Sequence, residues 1–149
     1  MFINFWYPAG RSTDITGTPV RRRMLGQDFV LWRDGAGQAH CLANTCIHRG
    51  ASLADGKVRD GEVQCPYHGW RFAGDGRCTA IPSLGKQARI PGRARVDAYP
   101  VAEKYGLVFA FLGDLPEEER CPIMDIPEYR GDQPDPGWRA TIQHFEWDI

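Results

Sequence analysis

The chain has 149 residues, a length that suits one folded domain with a single core and a tail. Hydrophobic residues make up 42% and charged residues 25%, which is typical of a soluble globular protein. The formal net charge of -1 gives no electrostatic reason to expect a nucleic acid or an anionic membrane as partner. No apolar run is as long as a membrane span, and the first residues lack the basic start of a signal peptide, so we expect a cytoplasmic protein.

The sequence between residues 20 and 112 predicts short strands separated by glycine-rich turns. Strands at 28–33 and 38–43 flank a tight turn at 34–37, whose glycines tolerate the positive φ angles that a hairpin requires. A second group of strands is predicted at 62–65, 70–73 and 77–81, with a turn at 74–76. A last pair is predicted at 95–101 and 107–112, with the bend near Tyr105. Because no segment shows a sustained helical period, we predict an all-β fold of antiparallel sheets.

The character of the sequence changes after Gly113, where charged residues and repeated prolines disfavour regular structure. Strand propensity returns near the end of the sequence. We therefore predict a folded domain at 1–115, a proline-rich linker at 116–136 and a lone strand at 137–149. A single strand cannot bury its own face, so we expect this strand to begin a further domain that is missing here. On this interpretation the sequence is either a truncated piece of a longer protein or a natural short protein.

Two of the five cysteines are followed by a histidine two or three residues later. Cys46 is followed by His48, and Cys65 is followed by His68; each pair comes just after a predicted strand. Neighbouring glycine and proline residues favour tight turns, so two hairpin tips could bring the four side chains to one site. An odd number of cysteines without regular spacing does not suggest a disulfide scaffold, and in a reducing compartment such cysteines are more often buried thiols or metal ligands.

Two thiolates and two imidazoles form the mixed ligand set of a Rieske [2Fe–2S] cluster, in which two cysteines hold one iron and two histidines hold the other. Such a cluster carries single electrons. The main alternative is a structural zinc site, which also uses two Cys and two His. Zinc sites of that kind usually pair their cysteines and place their histidines on a helix, whereas here each pair is mixed. Colour separates the two hypotheses, because a zinc protein is colourless and a Rieske protein is reddish-brown.

The segments 46–51 and 65–72 resemble the two cluster loops of Rieske non-haem iron oxygenases, the ring-hydroxylating type. Segments 5–8, 25–33 and 99–109 are also similar to the N-terminal domain of that family, so the resemblance covers nearly the whole chain. It implies the Rieske, or iron–sulfur-protein-like, fold and a [2Fe–2S] cofactor. It also implies that Cys46 and Cys65 bind one iron and that His48 and His68 bind the other.

The same resemblance implies an oxidoreductase role in a dioxygenase or monooxygenase. The domain would take electrons from a reductase or ferredoxin, ultimately from NAD(P)H, and pass them to a mononuclear Fe(II) in an oxygenase catalytic domain, including one on a neighbouring subunit. That Fe(II) and its triad of two histidines and a carboxylate are expected only in the missing catalytic domain, so this chain alone is not a complete enzyme. The alternative is a stand-alone Rieske ferredoxin. A downstream reading frame that encodes such a triad would separate the two.

Several other residues carry weaker predictions. His40 is expected to be packed or exposed rather than a ligand, and His144 lies in the predicted lone strand. Tyr67 and Trp70 are expected to shield the cluster from water. The residue after the second His–Gly is Trp70, where some Rieske branches place a hydroxyl donor to a cluster sulfur. We therefore expect a low reduction potential, roughly −150 mV.

Overall fold

The computed structural model describes residues 3–85 and 89–126, and the regular secondary structure of this part is almost entirely β-strand. Its helical content is three single 3₁₀ turns, at Ser12–Asp14, Pro82–Leu84 and Glu117–Glu119. The all-β prediction is confirmed. The strands of the described part are β1 (Phe5–Arg11), β2 (Val20–Met24), β3 (Gln27–Arg33), β4 (Ala39–Ala43), β5 (Lys57–Arg59), β6 (Glu62–Gln64), β7 (Arg71–Phe72), β8 (Cys78–Ala80), β9 (Ala98–Tyr99), β10 (Val101–Lys104) and β11 (Leu107–Leu112).

The strands form three antiparallel sheets. The terminal sheet has the order β1-β11-β10, so it joins the start of the described chain to its later strands. The central sheet has the order β2-β3-β4-β9, and the site sheet has the order β5-β6-β7-β8. The site sheet is named for the second cysteine–histidine loop, which runs between its strands β6 and β7.

Strand β3 is buried on both faces and separates two hydrophobic cores. Phe29 and Leu31 point into the core between the central and terminal sheets, whereas Val30 and Trp32 point into the core beneath the site sheet. We call this second cluster the site core. Successive side chains of a strand alternate between its faces, which explains why four consecutive apolar residues can serve two cores. The site core also contains Cys46 and Cys65.

The predicted hairpin between β3 and β4 is confirmed, and its turn is held by one carboxylate. The side chain of Asp34 accepts hydrogen bonds from the backbone N–H groups of Ala36 and Gln38, each at 2.9 Å. Gly37 has φ 85°, a left-handed conformation that glycine adopts without a steric penalty. The turn at 74–76 and the bend at Tyr105 also lie where the sequence placed them.

The predicted strand at 95–101 is wrong, because this segment changes sheets. Ala98–Tyr99 pairs with β4 in the central sheet, whereas Val101–Lys104 pairs with β11 in the terminal sheet. A two-residue turn at Tyr105–Gly106 sets Lys104 opposite Leu107, so the partner of β11 has to lie directly before the turn. Pro100, which has no N–H to donate, stands at the point of change.

The predicted strands of the described chain did not include β1 or β5. β1 pairs with β11, a contact between segments about a hundred residues apart that no local pattern shows. β5 was missed although the Asp60–Gly61 turn after it is a standard hairpin signal. Of the predicted linker, residues 116–126 are described, and Trp6 donates its indole N–H to the carbonyl of Cys121 at 2.8 Å. The predicted lone strand at 137–149 lies outside the described residues.

Candidate metal centre

The two loops that carry the cysteine–histidine pairs have the same backbone structure. The first loop (46–51) follows β4, and the second loop (65–70) follows β6. In each loop the cysteine N–H bonds to the carbonyl five residues later, and a glycine N–H bonds back to the cysteine carbonyl. These bonds are Cys46 N to Ala51 O (2.8 Å), Gly50 N to Cys46 O (2.8 Å), Cys65 N to Trp70 O (2.8 Å) and Gly69 N to Cys65 O (3.1 Å).

A glycine in the left-handed conformation ends the turn of each loop. Gly50 and Gly69 both have φ 72°, and each lies four residues after its cysteine. The histidine, by contrast, takes the second position after the cysteine in the first loop and the third position in the second loop. Equal cysteine-to-glycine spacing is therefore the sequence signal that identifies the two loops as structural equivalents.

The two thiols lie inside the protein. Cys46 is 1% exposed and Cys65 is 3% exposed, and both belong to the site core. The pKa of the Cys46 thiol is raised to about 11, mainly by burial and also by the neighbouring Cys65; the backbone N–H groups of His48 and Arg49, which hydrogen-bond to the sulfur, oppose the shift. Metal ions bind the thiolate, so metal binding has to displace the proton that this environment favours.

The two imidazoles lie nearer the surface and next to each other. The ring centroids of His48 and His68 are 4.6 Å apart, with an interplanar angle of 67°. His48 is half-buried, while His68 is exposed. Partial loss of solvent lowers the pKa of His48, and the positive charges of His68 and Arg49 lower it further. This environment favours the neutral imidazole, which is the form that binds a metal ion.

Aromatic rings of Tyr67 and Trp70 line the imidazole pair; that they shield the cluster from water stays a prediction. The indole of Trp70 stacks on His48 with a centroid distance of 4.6 Å and an interplanar angle of 7°. The ring of Tyr67 lies 4.0 Å from that of His68, tilted by 32°. Tyr67 is 64% exposed, so it covers His68 only in part, whereas Trp70 is half-buried against the site core.

The arrangement thus offers an inner pair of thiols and an outer pair of imidazoles. In the described part of the chain, no three His, Cys, Asp or Glu side chains are placed to hold one common ion. Two separate pairs suit a cofactor with two metal ions, each of which takes one pair. The donor set and its layering therefore fit a [2Fe–2S] cluster that has its thiolate end inside and its imidazole end at the surface.

The remaining cysteines and His40 are not brought to this site. Cys41 belongs to the other core, and Cys78 packs in the site core, where burial raises the pKa of its thiol. His40 is packed as predicted: its Nε2 lies 2.9 Å from a carboxylate oxygen of Asp34. His144 lies outside the described residues.

The fold and the paired donors define an iron–sulfur protein of the Rieske class. Residues 5–100 match the family described as "Rieske [2Fe-2S] domain", and the chain belongs to that family. The [2Fe–2S] cluster predicted from the two loops is the cofactor of this family. Among the described residues, no helix has the length and apolar character needed to span a bilayer.

The curated relatives include subunits of dioxygenases. The chain is 43% identical over 124 residues to phenoxybenzoate dioxygenase subunit alpha from Ectopseudomonas oleovorans, covering 83% of this chain and 30% of that protein. It is 37% identical over 129 residues to the oxygenase subunit of 3-chlorobenzoate-3,4-dioxygenase from Comamonas testosteroni, with the same coverage of both chains. The chain thus spans between 19% and 37% of the length of these curated relatives.

Solved structures show the same relationship. A crystal structure of apo dicamba monooxygenase superimposes with a TM-score of 0.70 at 34% identity, covering 74% of this chain and 34% of that one. NdmA from Pseudomonas putida CBB5 gives a TM-score of 0.68 at 29% identity, covering 76% of this chain and 37% of that one. These structures share the fold of this chain over about a third of their own length.

Proposed function

We propose that this chain carries single electrons through a [2Fe–2S] cluster held by Cys46, His48, Cys65 and His68. Cys46 and Cys65 bind one iron, and His48 and His68 bind the other. The observation that carries the proposal is the layered pairing of these four side chains, with the thiols buried and the imidazole rings 4.6 Å apart near the surface. When bound, a Rieske cluster accepts and releases one electron at a time.

The protein side of this site has three tasks. The site core keeps water from the two thiols, and the backbone N–H groups of His48 and Arg49 hydrogen-bond to the sulfur of Cys46. These bonds favour the thiolate that a metal ion needs. The exposed ring of His68 lies at the surface, where an electron-transfer partner can come closest to the site. A second ring nitrogen on each metal-bound imidazole can also carry a proton.

In the complete protein, the electrons serve a mononuclear iron in an oxygenase catalytic domain, which uses them in a hydroxylation or demethylation. The donor is a reductase or a ferredoxin. Support comes from the relatives, which include both a dioxygenase subunit and a monooxygenase, 4beta-methylsterol monooxygenase from Methylococcus capsulatus (strain ATCC 33009 / NCIMB 11132 / Bath), 40% identical over 136 residues. The division of the sequence into a domain, a linker and a lone strand at residues 115 and 136 stays a prediction. The cytoplasmic location also stays a prediction.

The ligand assignment is tested by electron paramagnetic resonance of the reduced protein. We expect the wild-type signal of a Rieske cluster, and a shift toward the signal of an all-cysteine cluster in His48→Cys and His68→Cys, because a thiolate donates more charge than an imidazole. Cys46→Ala and Cys65→Ala should lose the signal. Cys78→Ala is the matched control, because Cys78 is also a buried thiol of the site core.

Two results would contradict the proposal. One is a colourless wild-type protein that binds a single zinc ion. The other is a full cluster signal in Cys46→Ala or Cys65→Ala. The role in an oxygenase is tested separately by sequencing the gene downstream of Ile149: a continuous frame with two histidines and a carboxylate supports it, and a stop codon there contradicts it.

A further inference from the structure

We propose that Trp70 is a positioning residue that fixes the ring plane of His48 from the opposite loop. This inference rests on the proposed function, since it treats His48 as an iron ligand. The two residues belong to different loops, and their rings are nearly parallel, with an angle of 7° and a centroid distance of 4.6 Å. A parallel aromatic face restricts rotation of the imidazole about its Cβ–Cγ bond. That rotation is the motion that would turn the donor nitrogen of His48 away from the metal site.

Trp70 is itself held firmly, which is what a positioning residue requires. Its backbone carbonyl accepts the hydrogen bond from Cys65 that closes the second loop, and β7 begins at the next residue. Its side chain packs against the site core. The indole therefore has a fixed position relative to Cys65, and through the stack it sets the orientation of His48 relative to that cysteine.

Of the two histidines, only His48 has an aromatic ring stacked on it from the opposite loop by the residue five positions after the cysteine. The position five residues after the cysteine is Ala51 in the first loop and Trp70 in the second. Ala51 has no ring to offer to His68. The ring that does lie on His68 belongs to Tyr67, its neighbour in sequence, and it is 64% exposed. The two histidines thus differ in how they are supported: His48 is held across the loops, whereas His68 is exposed and held within its own loop.

The experiment compares the two histidine nitrogens in the reduced cluster by pulsed electron paramagnetic resonance. His48→Cys removes one of the two nitrogen couplings and so identifies the His48 coupling. In Trp70→Leu we expect that same coupling to broaden, because the imidazole samples more orientations, while the His68 coupling stays sharp. Release of iron to a chelator should become about three- to tenfold faster, the range that the loss of one aromatic pair supports.

Two further variants control the interpretation. Trp70→Phe keeps an aromatic face, so it should restore most of the sharp His48 coupling and most of the slow iron release. Tyr67→Leu removes the other ring and should leave the His48 coupling unchanged. If Trp70→Leu does not fold, as judged by circular dichroism, Trp70→Met takes its place: it also lacks a ring, so broadening at His48 with no change at His68 is then the supporting result.

The outcomes separate this inference from the proposed function. A wild-type protein without any cluster overturns both. If the wild-type protein has a normal cluster, three results would overturn only the role of Trp70. In the first, Trp70→Leu changes neither coupling, and in the second it broadens the His68 coupling instead. The third result is that Trp70→Phe behaves like Trp70→Leu. If Trp70→Met is used in place of Trp70→Leu, an unchanged His48 coupling overturns the role in the same way.

Discussion

The imidazole of His40 lies directly against the backbone of Gly74, so that a Cβ atom at position 74 would overlap the ring. The ring cannot easily move aside, because its Nε2 lies 2.9 Å from a carboxylate oxygen of Asp34. The ring centroids of His40 and Trp32 are also only 5.1 Å apart. We therefore expect Gly74→Ala to lower the free energy of unfolding by about 1–3 kcal/mol, the usual cost of forcing atoms into a packed site. Denaturant unfolding measures the change.

Gly35 provides the matched control for this substitution. A Cβ at Gly35 meets no atom within 4 Å, and its φ angle lies outside the left-handed region. Gly35→Ala should therefore be neutral or slightly stabilising, because it reduces the entropy of the unfolded chain. Equal destabilisation by both substitutions would show that the contact with His40 is not the cause.

Gly50 and Gly69 allow the cost of a left-handed backbone conformation to be distinguished from the cost of steric crowding. Both have φ 72°, so Gly50→Ala and Gly69→Ala should each cost about 1–2 kcal/mol of left-handed strain. A Cβ at Gly50 meets nothing within 4 Å, whereas one at Gly69 lies 3.1 Å from both the Gln64 amide nitrogen and a ring carbon of Pro82. We expect Gly69→Ala to destabilise the protein more than Gly50→Ala, as measured by denaturant unfolding. The reverse order would contradict this reading of the loops.

An ion pair between the central and terminal sheets predicts that the stability of the fold depends on pH. Arg33 on β3 donates two hydrogen bonds to the carboxylate of Glu103 on β10. The distance from Nη1 to Oε1 is 2.6 Å, and that from Nη2 to Oε2 is 3.2 Å. The hydrogen bond from Arg33 lowers the pKa of Glu103, although partial burial opposes the shift. The ionised carboxylate therefore stabilises the fold above the ordinary pKa of glutamate, about 4.3, and this contribution is lost as the pH falls through the lowered value.

We expect Glu103→Gln to lower the free energy of unfolding near neutral pH by about 1 kcal/mol or less, because the pair is partly exposed to solvent. The difference between wild type and variant should shrink below about pH 4 as the wild-type carboxylate becomes protonated. Denaturant unfolding of both proteins across this range measures it. Glu118→Gln, on an exposed 3₁₀ turn, serves as the control and should change little. A difference that is constant with pH would argue against the ion pair.

The reduction potential is expected near the low end of the Rieske range, roughly −150 mV. The residue after Gly69 is Trp70, whose indole lies on His48, so this position supplies no hydroxyl group to the cluster. Fewer hydrogen bonds to the cluster stabilise its reduced form less. A redox titration followed by circular dichroism or electron paramagnetic resonance measures the potential, and a clearly positive value would contradict the prediction.

Local patterns in the sequence were enough to predict the parts of the fold that depend on neighbouring residues. The β3–β4 hairpin follows from the Asp34–Gly37 turn, and the two loops follow from their Cys–His pairs and glycines. Contacts between distant segments could not be predicted in this way. The pairings of β1 with β11 and of β9 with β4 join segments that are far apart in the sequence, and no local pattern shows which strand edges meet. The stack of Trp70 on His48 likewise joins two separate loops.

The pairing of β4 with β9 places the two ends of the segment 44–97 side by side. Leu42 lies opposite Ala98, and the N–H of Ala43 bonds to the carbonyl of Asp97 at 2.9 Å. The stretch that carries both cysteine–histidine loops therefore leaves the central sheet and re-enters it at one strand pair, and Val30 and Trp32 of that sheet supply part of the apolar core on which it packs.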